Sequence, residues 1–304
     1  MQARLTAFVP DHAALTRSLS PGDRLRIGRA DDCGLLLEHP SISRAHAELF
    51  ASDDGRWQLA DLRSKNGSFV EGARIDSASI DTSCWLRFGD VHCEFALLDG
   101  AAAEADARRR NERHRTATAC TAHLDTIARK DRSDDAPGQS LPDASLRAVA
   151  ELAGCSRGFL LVDTHGRYRV LAALALDPSQ MIGREFAGSL SAVTRAIEQR
   201  RPVVFNDIGG DVWPGACASV VQAGLRTLVC LPLLDGNRVL GAIYADRREP
   251  GPPLTTLDLE LLEAFADRTA LWLIARRARE DLAMYPSTPP LDWNSILTER
   301  ILET

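Results

Sequence analysis

The chain has 304 residues, 45% of them hydrophobic and 26% charged, and a net charge of −6. That length exceeds one ordinary core and calls for two domains. The acidic balance supplies no general basic field for nucleic acid, whose phosphates demand clustered Lys and Arg.

In chain order, residues 4–9 (RLTAFV) and 24–27 (RLRI) read as strands joined by a polar stretch ending in Pro21-Gly22-Asp23. Gly28-Arg29 then leaves the sheet, 33–37 is a short apolar run, and 39–43 is a loop that presents hydroxyls. Strands resume at 45–50, 56–60, 68–70, 84–88 and 93–98, with turns at Asp53-Asp54-Gly55 and Gly89-Asp90. Many short strands at regular spacing argue for a β-sandwich.

Polar clusters fall where these strands give way to loops: Gly28-Arg29, then Ser43-Arg44-Ala45-His46, then the run from Asp61 to Gly72 that holds Ser64-Lys65-Asn66-Gly67-Ser68. A guanidinium, a hydroxyl and a side-chain amide brought together by an antiparallel sheet can surround a tetrahedral dianion with charge-assisted hydrogen bonds. The order and spacing of GR, SRxH, SxNGS and VxG resemble the forkhead-associated (FHA) domain, a β-sandwich that binds phosphothreonine, over residues 1–99.

The resemblance implies a role for each position. Arg29, with a planar fork matched to two oxygens, is the principal phosphate contact. Ser43 donates its hydroxyl or backbone N–H to another oxygen, and Arg44 either adds charge or lies on the surface. Asn66 bonds the backbone of the bound peptide, with Ser64 and Lys65 just before it at positions of phosphate or peptide contact. Gly28 supports the site, His46 braces its loops and Gly67 permits the turn that exposes Asn66. Two residues depart from the family pattern: Ser68 stands where Thr is frequent and Glu71 where Asn is, and neither is a phosphate ligand.

Residues 101–141 change character. The stretch AAAEADARRRNERHR is rich in helix formers and charge, so Arg108, Arg109, Arg110, Arg113 and Arg115 form either an anion-binding patch or, the blander reading, the face of a solvated linker helix. A flexible break is expected at 131–143. A second domain, 142–281, then opens with a helix capped by Asp143. Strands are expected at 158–162, 168–173 and 203–205, helices at 191–199 and 216–223, a hairpin at 227–245 around Asp235-Gly236-Asn237, and a long amphipathic helix at 257–278.

The run Val229-Cys230-Leu231-Pro232-Leu233, the strand Leu240-Gly241-Ala242-Ile243-Tyr244 and the segment from Pro253 to Leu262 resemble the GAF domain, an α+β sensory module with one antiparallel sheet and flanking helices. These motifs are structural and name no ligand. Asp207, Trp213, Arg226 and Tyr244 are polar candidates for a pocket, each readable equally as a structural residue. No lysine lies in this domain, against the lysine-bearing signature of the cyclic-nucleotide subgroup, and neither Cys217 nor Cys230 has a bilin-attachment setting. In the tail, 282–304, a turn or polyproline segment precedes a short helix carrying Trp293 that either docks a partner or folds back.

The exclusions run in one direction. Only Lys65 and Lys130 are lysines, a GC-rich bacterial skew, and neither sits in a Walker A or kinase setting. GxSxG and HExxH are missing, and the GGDV run at 209–212 lacks the acidic pair of a cyclase loop. Seven cysteines without a CxxC pair fit reduced, mostly buried thiols better than zinc or disulfides. No apolar run nears the roughly 20 residues of a membrane span, and no signal-peptide segment opens the chain.

The expectation is a multidomain, cytoplasmic, non-enzymatic adaptor without cofactor or metal: an all-β FHA sandwich at 1–100, a charged linker, and a GAF domain that pairs into a homodimer. Its implied partner is a phosphothreonine-containing protein, a Ser/Thr kinase or its substrate, with a small-molecule GAF ligand of unknown identity. The alternative is a metabolite-sensing regulator in which the sandwich is only a tether.

Overall fold

The computed structural model describes residues 2–52, 55–130, 140–164, 166–176, 188–207 and 224–284. The first half is a sandwich of two sheets. Strands β1 (Gln2–Phe8), β2 (Leu15–Leu19), β7 (Ser68–Val70), β8 (Ala73–Ile75), β10 (Cys84–Phe88) and β11 (Val91–Leu98) form one sheet in the order β2-β1-β11-β10-β7-β8. The facing sheet is β4-β3-β5-β6-β9, built from β3 (Arg24–Gly28), β4 (Leu35–Leu36), β5 (Ala47–Ala51), β6 (Trp57–Asp61) and β9 (Ser77–Ile80). Alternate residues point inward, as the two-residue strand period requires. Trp57 and Leu59 of β6 meet Leu86 and Phe88 of β10 and Val91, Cys93 and Phe95 of β11 in one buried cluster, with Trp57 edge-on to Phe95.

Ile27 of β3 stands opposite Ala47 of β5, and Ala47 opposite Asp61 of β6. Because both pairs are antiparallel, the end of β3, the start of β5 and the end of β6 emerge together, and the three polar clusters share one end of the sandwich. One strand goes beyond the sequence expectation. β2 falls within the stretch read as a polar connection, because its LTRSL pattern buries only Leu19 and the strand is held by β1 at the sheet edge.

Helix α1 (Gly100–Lys130) leaves the sandwich two residues after β11 and runs unbroken. It is less detached than a solvated linker: Cys120 packs on the core of the second domain and Arg113 pairs with Asp258 at 2.9 Å. Helix α2 (Leu141–Ala153) begins earlier than expected. Ser140, not Asp143, is its N-cap, Pro142 occupies the first turn where a missing N–H costs nothing, and Gly154 closes it in the left-handed region.

The second half is a five-stranded antiparallel sheet, β13-β12-β16-β15-β14, comprising β12 (Arg157–Thr164), β13 (Arg167–Leu174), β14 (Val203–Asn206), β15 (Thr227–Asp235) and β16 (Arg238–Arg247). Helix α2 and the long helix α4 (Thr256–Met284) cover one face; α3 (Leu190–Gln199) packs on the other against Phe159, Cys230 and Tyr244. Trp213, Cys217, the helix expected at 216–223 and the tail beyond 284 lie outside the described residues.

The halves are joined by more than α1. The β1–β2 connection, residues 10–14, is docked into the second domain. Ala14 donates its N–H to the Leu254 carbonyl at 2.8 Å and accepts from Thr256 N at 3.0 Å, while the Asp11 carbonyl accepts from Val204 N at 3.4 Å. The Asp11 carboxylate takes two hydrogen bonds from Arg195 of α3, at 2.5 and 2.8 Å. Ala13, 2% exposed, belongs to the same buried cluster as Val204 and Leu254. Asp11 adopts φ 63°, a left-handed conformation that Asp tolerates better than most residues and that turns the chain into this contact.

Candidate functional site

At the loop end of the sandwich, Arg29, Pro40, Ser41, Ile42, Ser43, Arg44, Lys65 and Asn66 line one cleft of about 360 Å³. The loops are fastened by backbone pairing: Arg29 N–H bonds the Ser43 carbonyl at 2.9 Å and Ala30 N–H the Arg44 carbonyl at 3.1 Å. Gly28 is required by this approach, since a Cβ there would sit 2.1 Å from the Arg44 carbonyl oxygen. The Arg29 side chain is exposed, lines the cleft and donates from Nε to the Ile42 carbonyl at 3.3 Å. Arg44 and Lys65 are also exposed, and among the described residues no acidic one lines the cleft.

His46 holds this arrangement from beneath. Fully buried, it accepts the Ser43 N–H at Nδ1 (3.1 Å) and bonds the Gly67 carbonyl through Nε2 (3.1 Å), which assigns the neutral ring with its proton on Nε2. Burial lowers its pKa below the ordinary histidine value, against the opposing pull of Gly67 and Asp61. The Ser43 N–H is therefore taken by the ring. The Ser43 hydroxyl accepts from Lys65 N at 3.0 Å and keeps its own proton to donate.

Two sequence expectations change here. Ser64 is 8% exposed, and its hydroxyl donates to Asp61 Oδ2 (2.7 Å) while accepting from Gly67 N (2.9 Å), so it braces the loop from inside and does not face the cleft. Asn66 faces the cleft but spends one amide proton on the Ser41 carbonyl (2.7 Å), tying the two loops together and leaving Oδ1 as an acceptor. The missed residue is Asp61. It collects the Ser64 N–H and hydroxyl and the Ser68 hydroxyl (2.6 Å), and these bonds lower its pKa although burial acts to raise it. The signal was the Asp61-x-x-Ser64 spacing, in which an Asp side chain reaches forward to backbone and hydroxyl and makes a turn. Ser68 fills this role without the methyl that Thr would add.

Of the four candidates of the second domain, the three that are described, Asp207, Arg226 and Tyr244, are each engaged in structural contacts. Asp207 and Arg226 form an ion pair with each other, backed by Asp207 N–H to the Arg226 carbonyl at 2.7 Å. Tyr244 is fully buried, stacked on Phe159 at 4.9 Å, donates to Asp246 Oδ2 (2.7 Å) and accepts from Ser189 N (3.1 Å). Its hydroxyl is therefore spent, and Asp246, held in turn by Arg157 at 2.5 Å, completes a structural network that sequence reasoning passed over. Trp213 lies outside the described residues. Among the described residues no cluster of His, Cys, Asp or Glu is arranged to hold a metal ion.

Comparison with known proteins bears on both halves. The FHA domain family model matches residues 25–91 and the GAF domain model residues 139–273. The chain therefore carries an N-terminal FHA domain followed by a GAF domain, both of them binding modules rather than catalytic folds. An ABC transporter ATP-binding/permease protein of Mycobacterium tuberculosis is 38% identical over 92 residues, 30% of this chain and 10% of the transporter. Among solved structures, one of phosphothreonine-dependent FHA domain interactions is 26% identical, covers 33% of this chain and 99% of its own, and has a TM-score of 0.29. EmbR of Mycobacterium tuberculosis, in complex with a low-affinity phosphopeptide, is 25% identical over 31% of this chain and 25% of its own, with a TM-score of 0.26.

Proposed function

We propose that this chain is a non-enzymatic, cytoplasmic signalling adaptor that reads phosphothreonine with its FHA domain and couples that event to its GAF domain. The observation that carries the reading is the convergence of Arg29, Ser43, Arg44, Lys65 and Asn66 on one cleft that no acidic residue lines among the described residues. A phosphothreonine brings about −1.5 to −2 charge and three acceptor oxygens, so it needs donors held in place rather than a catalytic group. Arg29 forks two oxygens, the Ser43 hydroxyl takes a third, Arg44 and Lys65 add charge, and Asn66 Oδ1 meets a backbone N–H of the peptide.

The partner in this reading is a Ser/Thr kinase or its phosphorylated substrate. Coupling is supported by the docked 10–14 connection: β1 carries it out of the sandwich, and it ends on α3, β14 and the turn before α4. Calorimetry of the full chain against a phosphothreonine peptide library tests the proposal. Selected peptides should bind with micromolar affinity, bind more weakly as phosphoserine, and not bind when unphosphorylated. Absence of phosphate-dependent binding would instead favour the GAF domain as the primary sensor, with the sandwich as tether.

A further inference from the structure

Past Asn66, at the rim of the cleft, the chain turns at Gly67 into β7. Gly67 takes φ 81°, and a Cβ on it would lie 2.7 Å from Arg74 Nε and 3.1 Å from Arg74 Cζ, so the Arg74 guanidinium rests against the backbone next to Asn66. Arg74 stands opposite Phe69, and Phe69 opposite Arg87, across β8, β7 and β10. Residues paired across antiparallel strands share a face of the sheet, so the three side chains form one row. Leu86 and Phe88, on either side of Arg87, are buried in the sandwich core, which puts the row on the outer face. Arg87 Cζ lies 3.6 Å over the Phe69 ring, and its Nη1 donates to the Gly89 carbonyl at 2.5 Å. Gly89 N–H in turn bonds the Gly67 carbonyl at 3.1 Å, so the row is tied to the loop that carries Asn66.

This row carries charge that the sandwich does not neutralise. Elsewhere in the same domain arginines meet acids, Arg24 with Glu48 at 2.8 Å and Arg26 with Asp32 at 3.4 Å. Arg74 is exposed, and among the described residues neither it nor Arg87 has a carboxylate within ion-pair distance. The acids on the same elements are placed otherwise. Asp61 is spent on Ser64 and Ser68, Glu71 accepts from Trp85 N at 2.6 Å, and Asp76 and Asp90, in the connections after β8 and β10, pair with neither arginine. A guanidinium laid on an aromatic face is held in one orientation, so it loses little freedom when a carboxylate joins it.

We propose that the Arg74–Phe69–Arg87 row receives acidic side chains of the same phosphoprotein, about three to six residues from the phosphothreonine, so that the domain selects phosphothreonines set in acidic sequence. The inference rests on the phosphothreonine reading of the cleft. Charge and continuity choose the occupant. In that reading Asn66 meets the peptide backbone, and Arg74 is the cation packed beside it. Three residues of strand separate Asn66 from Phe69, about 10 Å, a span that three residues of extended peptide cover.

The test uses the full chain and labelled phosphothreonine peptides that share one core and carry two Glu, two Gln or two Lys three to six residues before or after the phosphothreonine. By fluorescence anisotropy, Glu on one side of the phosphothreonine should tighten binding about fivefold over Gln, and Lys should weaken it, with the difference fading as salt rises. Arg74→Gln breaks no bond of the fold; it should erase most of the Glu preference and leave affinity for the Gln peptide unchanged. Arg74→Glu should favour the Lys peptide over the Glu peptide, a reversal that a weakened fold cannot produce. Equal binding of the Glu and Gln peptides would overturn the acidic preference while the phosphothreonine cleft stands. A Glu preference unchanged in both Arg74 variants would overturn the row as its source. If no phosphothreonine peptide binds at all, the reading of the cleft falls and this inference falls with it.

Discussion

Arg29 concentrates the recognition chemistry because its backbone is clamped to the Ser43 carbonyl while its guanidinium stays exposed. Replacement by Ala removes charge-assisted contacts without touching the core, so peptide affinity should fall by about 2–4 kcal/mol in calorimetry while the thermal midpoint stays put. His46 makes the opposite kind of prediction. Its folded pKa lies below the unfolded value near 6.5, so the unfolded chain binds the extra proton first, and the stability due to the neutral ring is lost as pH falls through that window toward the folded pKa. Urea midpoints at pH 7.5 and 5.5 should drop with acidification in the wild type and less so in His46→Gln; equal drops would remove His46 from the account. The GR, SRxH and SxNGS residues were legible because each belongs to a fixed polar pattern at a strand end. The inward turn of Ser64 was not, since a hydroxyl beside Asn66 reads the same whether it faces solvent or the Asp61 carboxylate.

Among the elements, α4 is longer than its sheet requires. Leu257, Leu271 and Leu282 are 44%, 65% and 71% exposed, and with Ala264, Ala275 and Ala278 they follow near-heptad spacing along one stripe. Such a stripe fits a second copy of itself, and we propose a parallel dimer through it. Leu271→Glu should convert a dimer to a monomer in sedimentation velocity at micromolar concentration with unchanged circular dichroism; a monomeric wild type would refute the interface. The long helices and the paired β15–β16 hairpin were readable from their period and turn residues. The edge strand β2 escaped notice because five residues with one buried side chain carry almost no alternation, and the start of α2 shifted because a Pro in the first turn resembles a break until its cap is seen.

For the whole molecule, the 10–14 connection decides whether the two domains report to each other. Asp11→Ala removes the Arg195 contacts and leaves both cores intact, so phosphopeptide binding should slow hydrogen exchange at 204 and 254–256 in the wild type but not in this variant. Protection that persists in Asp11→Ala would route the coupling through α1 instead. Ala13→Asp would place an unpaired charge in the GAF-side core and should destabilise both halves together, visible as one lowered transition in calorimetric melting. None of this could be read from PDHAA: a short polar connection takes its meaning from the surface it meets, and that surface is assembled from residues near 141, 195, 204 and 254.

The buried Ala13 also bears on how such a protein can arise and be divided. Binding modules are usually treated as interchangeable beads, joined or parted by recombination at the linker between them. Here a cut within 100–140 would leave the first piece with an apolar loop facing water and the second with a notch beside Leu254 and an Arg195 stripped of its counter-ion. Neither fragment inherits a finished surface. The heritable unit is the pair, and homologous exchange that swaps one domain for a distant counterpart should succeed only when the β1–β2 connection travels with the surface it fits.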